Sequence, residues 1–166
     1  MTKQLLLIRH AEAETPYWGQ KDFDRELTSH GVISASVTGK KLKEQEFVPD
    51  LILTSAANRA KTTAILLAEQ LGYEAHNIQS AVEIYNCSLN TLMDYIHKID
   101  SRCEKVILVN HNPSISYLVE YLTNENLYGG MNPIAVANIA FDVAKWSEVG
   151  QRTGKLLWHK ELYHSH

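Results

Sequence analysis

The chain has 166 residues, 45% apolar and 21% charged, with a formal net charge of −3. That is room for one domain with a full hydrophobic core, so residues 1–166 are read as a single domain. The acidic balance excludes a general nucleic-acid binder, which needs a basic face, and no apolar run approaches the ~18–20 residues of a membrane span, so neither nucleic acid nor membrane is an expected partner.

The opening MTKQLLLIRH carries too short an apolar run for a signal peptide. Cys87 and Cys103 form no CxxC pair and read as reduced thiols, which points to a cytoplasmic protein. With no HExxH motif either, no metal site and no cofactor are expected.

In chain order, Lys3–Ile8 (KQLLLI) is a continuous apolar run, the pattern of a strand buried on both faces. A polar loop with aromatic residues follows, from Ala11 to about Leu27. The segment 27–47 reads as a helix capped by Thr28 or Ser29, with Val32, Ala35, Leu42 and Phe47 near one stripe. Its Gly and β-branched residues weaken that pattern. PDLILTS is a second strand, and AANRAKTTAILLAEQLG is the clearest helix, closed by Gly72.

A short strand near Ile78–Val82 precedes the helical LNTLMDYIHKI. EKVILVN, Glu104–Asn110, is a third buried strand, and HNPSISYLVEYLT turns at once into a helix with Pro113 in its first turn. AVANIAFDV and KLLWHKEL read as antiparallel edge strands, and the tail YHSH as frayed. Strand and helix alternating at this spacing predict a three-layer α/β/α sandwich with a mostly parallel sheet and an antiparallel edge.

Ligands of such folds collect beyond the carboxyl ends of the parallel strands. The first strand ends in Arg9-His10, the second in Thr54-Ser55 with Arg59 one turn into the next helix, and the third in Asn110-His111-Asn112. Any one of these residues alone reads as an ordinary structural or surface group. Delivered together by successive strand–helix units, two arginines, two histidines and two helix starts make an anion site, best fitted by a phosphoryl group.

The same segments carry a resemblance. LIRHAEAE, DRELTSHG, LILTSAANRAKTTA and VILVNHNPSI resemble the histidine phosphatase superfamily, also called phosphoglycerate-mutase-like. Arg9-His10-Ala11 matches its first motif, while Arg25, Leu27, Thr28 and Gly31 match the next. Ser55, Arg59, Ala60 and Thr63 match the third, with Ala56 in place of the usual Pro. His111-Asn112-Pro113 matches the second-histidine motif, with Asn110 in place of the usual Gly. The resemblance covers Leu5 to about Phe141, and the short length and the late NPIAVANIAFDVAKW point to the SixA-type phosphohistidine phosphatases.

The resemblance implies that His10 attacks phosphorus and is phosphorylated, after which water releases phosphate. Arg9, Arg59 and His111 would bind the phosphoryl oxygens, with Asn112 beside them. Protein cations would supply the charge that a metal supplies elsewhere. Many relatives use a Glu ahead of the middle helix as general acid, and Glu83 is the candidate here. Its plainer reading is a solvent-facing Glu at a strand end. The acid-phosphatase branch has Asp where this chain has Asn112, which disfavours that branch. A phosphohistidine leaving group, protonated on its own distal ring nitrogen, needs less help from an acid.

Acidic side chains beside a phosphate site would repel substrate, so Glu12 and Glu14 are expected to face out or to pair with Arg25 or Lys21, or Glu12 to orient a basic partner. Tyr17 and Trp18 are expected to fill the loop's own core rather than line the mouth, and Thr54 and Ser55 to cap a helix or orient Arg59. The implied substrate is a phosphoprotein, such as a phosphotransfer domain. The alternatives are phosphomonoesterase action on a small phosphorylated metabolite and a catalytically weak phospho-group binding module. Mutase action is disfavoured, because it needs a pocket closed to water.

Overall fold

The protein is described here by a computed structural model covering residues 2–164. Strands β1 (Thr2–Arg9), β2 (Leu51–Ser55), β3 (Gln79–Ala81), β4 (Lys105–Asn110), β5 (Val136–Asp142) and β6 (Gly154–Lys160) form one sheet in the order β3-β2-β4-β1-β5-β6. The first four in that order run parallel, and β5 and β6 are antiparallel. Helices α1 (Ser29–Glu44), α2 (Asn58–Leu71), α3 (Leu89–His97) and α4 (Ser114–Thr123) cover its faces.

Alternation along each strand divides the core. Leu6, Ile8, Ile52, Ile107 and Val109 pack under α1 and α2. Leu5, Leu7, Leu53, Val106 and Leu108 pack under α3 and α4 with Trp146. Leu5 to Ile8 are fully buried, and at roughly 2 kcal/mol for each such side chain they pin β1 firmly. The predicted three-layer sandwich is the observed one. Among the described residues no helix is long and apolar enough to cross a membrane.

Three expectations are corrected. β5 is not an edge strand, since it lies between β1 and β6, and only β6 shows the half-exposed alternation of an edge. Val32 is exposed, and the buried face of α1 is Gly31, Ser34, Ala35, Thr38, Gly39 and Leu42. That face is small because α1 lies close on α2: a Cβ at Gly39 would stand 2.9 Å from Gln70 Cβ. The residues that weaken the helical pattern are thus the packing surface. Thirdly, Leu162–His164 form a 3₁₀ turn, with Leu162 buried and Tyr163 edge-on to His30. The rest of the predicted frayed tail, Ser165 and His166, lies outside the described residues.

The loop after β1 is fixed to α1. Thr28 caps the helix by accepting from Gly31 N–H at 2.9 Å, and the Glu12 carbonyl accepts from Thr28 N–H. A Cβ at Gly31 would stand 2.2 Å from the Glu12 carbonyl oxygen, so the close approach requires glycine.

Candidate active site

β1, β2 and β4 end at one level, with Arg9 opposite Asn110 and Thr54 opposite Val109. His10 and His111 follow these strand ends, and their rings lie 5.1 Å apart. A cavity of about 320 Å³ opens here, walled by Arg9, His10, Arg59, His111, Arg25 and Asn112 among others. A larger cavity of about 570 Å³ on the outer loop is lined by Glu14, Asp24 and Glu26 and lacks these groups. Its three carboxylates, with no arginine or histidine beside them, would repel a phosphoryl group, whereas the smaller cavity sets three arginines against one carboxylate, Glu12, and is the candidate site.

His10 is buried, and its Nδ1 lies 2.7 Å from the Ala11 carbonyl oxygen. A carbonyl only accepts, so Nδ1 carries the proton and Nε2 keeps its lone pair. Burial lowers the His10 pKa to about 4; the bond to Ala11 opposes this, and the charges of Arg59, Arg9 and Arg25 add to it. An unperturbed imidazole is about a quarter protonated at pH 7. His10 is instead almost wholly neutral there.

His111 is lowered to about 3, first by burial and then by His10 and Arg59. It is therefore neutral at pH 7, with one ring N–H to donate and one lone pair to accept. Its Nε2 lies 2.8 Å from Ser55 Oγ, which also accepts from Ala57 N–H. If the Ser55 hydroxyl donates to Nε2, the His111 proton sits on Nδ1, a buried atom with no partner in the protein. Ser55 thus holds His111 rather than Arg59. Thr54 donates to the Ser55 carbonyl.

Arg59 is buried in the first turn of α2, which Thr63 ties to the segment just after β1 by accepting from Ala11 N–H and donating to the Arg59 carbonyl. Arg59 Nη1 donates to the Asp22 carbonyl at 2.7 Å, and Nη2 to Asp22 Oδ2 at 2.9 Å. The same carboxylate accepts from Tyr85 OH at 2.6 Å and Arg25 Nη1 at 3.0 Å. The Tyr85 bond foremost, with Arg25 and Arg59, holds the Asp22 carboxyl well below the usual carboxylate range. Sequence reasoning missed Asp22 and Tyr85, although Asp22 stands three residues before Arg25 in DFDREL. Arg9 donates to the Met131 carbonyl at 3.0 Å, and its pKa is lowered by burial and by Arg59.

Asn112 borders the cavity, but its amide is engaged: Nδ2 donates to the Met131 carbonyl at 2.7 Å and Oδ1 accepts from Ser116. Glu83 is not brought to the site. It is exposed in the 3₁₀ turn Val82–Ile84 and lines neither this cavity nor the neighbouring one. It sits instead beside Tyr95, whose pKa is raised by burial and by that carboxylate.

Contrary to the expectation that it would face out, Glu12 lines the cavity, and its carboxylate accepts from the Thr28 hydroxyl at 2.8 Å at the start of α1. That position suits an anion, because a helix start is electropositive. Glu14 meets Arg25 only through its backbone carbonyl, at 2.9 Å. Tyr17 and Trp18 do not fill the loop's core, being 70% and 99% exposed.

A family model described as the histidine phosphatase superfamily (branch 1) matches residues 5–94, more than half of the chain. The chain belongs to the histidine phosphatase superfamily. The 2,3-bisphosphoglycerate-dependent phosphoglycerate mutase of Nitrobacter hamburgensis is 41% identical over 73 residues, 41% of this chain and 34% of that protein. The corresponding mutase of Rhodopseudomonas palustris is 42% identical over 78 residues, 43% of this chain and 36% of that one. The match therefore spans about a third of the length of these relatives.

Among solved structures, a putative phosphohistidine phosphatase SixA from Agrobacterium tumefaciens has a TM-score of 0.80 at 26% identity, covering 95% of this chain and 96% of that one. A protein histidine phosphatase SixA complexed with tungstate has a TM-score of 0.82 at 20% identity, covering 96% and 97%, a likeness of fold. This superfamily member shares its fold with them over 95–96% of its length, and its sequence with the mutases only in part.

Two predictions follow from the geometry. Arg59→Lys replaces a fork that serves Asp22 and a phosphoryl group together with a single point charge, so kcat/KM for an aryl phosphate should fall about 10²-fold or more. A loss under about fivefold would mean that the fork is not used. Secondly, His10 must be unprotonated to act, and its pKa is lowered, so activity persists below the usual histidine range and fails near pH 4. Corrected for substrate ionisation, kcat/KM should show its acid limb there; a limb at ~6.5 would mean that the nucleophile is not shielded in this way.

Proposed function

We propose that this protein is a metal-independent phosphatase that hydrolyses phosphohistidine in a protein substrate through a covalent phosphohistidine intermediate on His10. The observation that carries the reading is the Nδ1–Ala11 hydrogen bond, which leaves the Nε2 lone pair of a buried, neutral imidazole beside Arg9 and Arg59. Nε2 attacks phosphorus, and the bond to the leaving group breaks with its electron pair. Water then attacks the phosphorylated His10, the pair returns to Nε2, and the water's proton leaves with phosphate or to solvent. Arg9, Arg59 and the His111 N–H meet the charge spread over the phosphoryl oxygens, so no metal ion is called on.

The likeness in fold to SixA phosphatases supports a phosphohistidine substrate, as does the exclusion of Glu83 from the site, because phosphohistidine needs less from a general acid. A cytoplasmic location belongs to the same reading and is supported by the free thiols of Cys87 and Cys103.

A second reading is phosphomonoester hydrolysis on a small anionic metabolite. It is favoured by the partial identity to phosphoglycerate mutases, 41% over 73 residues, and by Arg25, a third arginine in the cavity wall. Initial rates on a phosphohistidine protein, 3-phosphoglycerate and a sugar phosphate separate the two. The phosphohistidine protein should be turned over at least tenfold more efficiently, with Glu83→Gln within about twofold of wild type on it. Faster hydrolysis of either small ester overturns the first reading, and a tenfold loss in Glu83→Gln would restore Glu83 as the acid.

A further inference from the structure

A second cavity, about 200 Å³, adjoins the first. The two share Arg59, His111 and Asn112, whereas His10 lines only the first. A phosphorus atom held at the shared residues and attacked by His10 expels its leaving group away from His10, toward the cavity that His10 does not line. That cavity is walled further by Asp22, Tyr85, Asn86, Asn110 and Ser114.

Asn110 stands out in this wall. It is the last residue of β4, fully buried, and neither Oδ1 nor Nδ2 of its amide has a hydrogen-bond partner in the protein. More than nine in ten buried polar groups are paired, so an idle buried amide at a cavity wall points to a ligand. Its polar neighbour is the Cys87 thiol, a weak partner at best. The nearby Asn112 amide, by contrast, is engaged at both ends. Asn110 also stands where the superfamily motif carries glycine, so the amide is an addition to the strand end.

The cavity holds no acid able to protonate a leaving group. Its one carboxylate, Asp22, is engaged by Arg59, Arg25 and Tyr85, and the Tyr85 hydroxyl is itself given to Asp22. Of the remaining groups His111 is neutral, Arg59 is a permanent cation, and the others are amides and a hydroxyl. An alkoxide would depart unprotonated there. A nitrogen heterocycle that already carries a proton on the ring nitrogen remote from phosphorus departs neutral.

We propose that Asn110 determines specificity in a leaving-group subsite for a nitrogen heterocycle, its amide oxygen accepting the proton on the remote ring nitrogen. The proposal rests on the phosphohistidine reading above. The His10 Nε2 lone pair forms the new P–N bond. The P–N bond to the substrate ring breaks, its electron pair stays on the ring nitrogen, and the remote proton remains in place, so neutral imidazole leaves.

The test compares kcat/KM for phosphoimidazole with that for 4-nitrophenyl phosphate, whose leaving group makes no use of an acceptor. In Asn110→Ala the ratio should fall at least tenfold against wild type, and in Asn110→Asp, which keeps an oxygen, it should stay at or above the wild-type value. Inhibition by inorganic phosphate checks that the clamp is intact, and Asn110→Val, which suits a strand and lacks the amide, reads the same ratio where the alanine variant does not fold. A ratio within twofold of wild type in the alanine or valine variant overturns the role of Asn110 while leaving the phosphohistidine reading standing. A wild-type protein that hydrolyses 4-nitrophenyl phosphate but not phosphoimidazole overturns both.

Discussion

Two imidazoles 5.1 Å apart, walled in with Arg9 and Arg59, can share a buried site only if both stay neutral. A proton on either ring would place a further positive charge in a poorly solvated space, and burial with the guanidinium charges prevents it. In the proposed mechanism this constraint is what fits a histidine to serve as nucleophile. A site built to attract an anion is also one that keeps the lone pair of His10 free.

The rest of the fold supplies the conditions for that balance. The apolar run of β1 locks the strand, so the backbone after it presents the Ala11 carbonyl to Nδ1 and fixes which nitrogen is free. Ser55, at the end of β2, holds the second histidine, and the Met131 carbonyl takes one donor from Arg9 and another from Asn112. Asp22 supplies the counter-charge for the buried Arg59 from outside the sheet. Asp22 meets both terminal nitrogens, so the guanidinium is held and compensated where it lines the cavity.

Much of this was legible in the sequence, for a physical reason. Short continuous apolar runs such as LLLI and VILV, rich in β-branched residues and too short for a helix, read as buried strands, and parallel strands end on one rim, so Arg9, His10, Arg59 and His111 could be gathered from the sequence. The residues that escaped are those whose roles arise from contacts distant in sequence. Asp22 meets Arg59 across 37 positions, and His111 meets Ser55 across 56. Glu83 fitted a motif by position, but its 3₁₀ turn carries it out to Tyr95. The face of α1 was misjudged because close helix packing selects small residues over a conventional apolar stripe. Glu12, odd beside a phosphate site, is accounted for by the helix start that it faces.

The central claim is that a neutral His10 takes the phosphoryl group on Nε2. Rapid quenching during turnover of a phosphorylated substrate, followed by mapping of the labelled peptide, tests it directly. The account predicts an acid-labile, base-stable phosphoryl group on His10, bonded to Nε2, that decays at the rate of phosphate release. A phosphoryl group on Nδ1 or on a carboxylate such as Asp22, or full turnover with no phosphorylated His10 formed at any time, would contradict it.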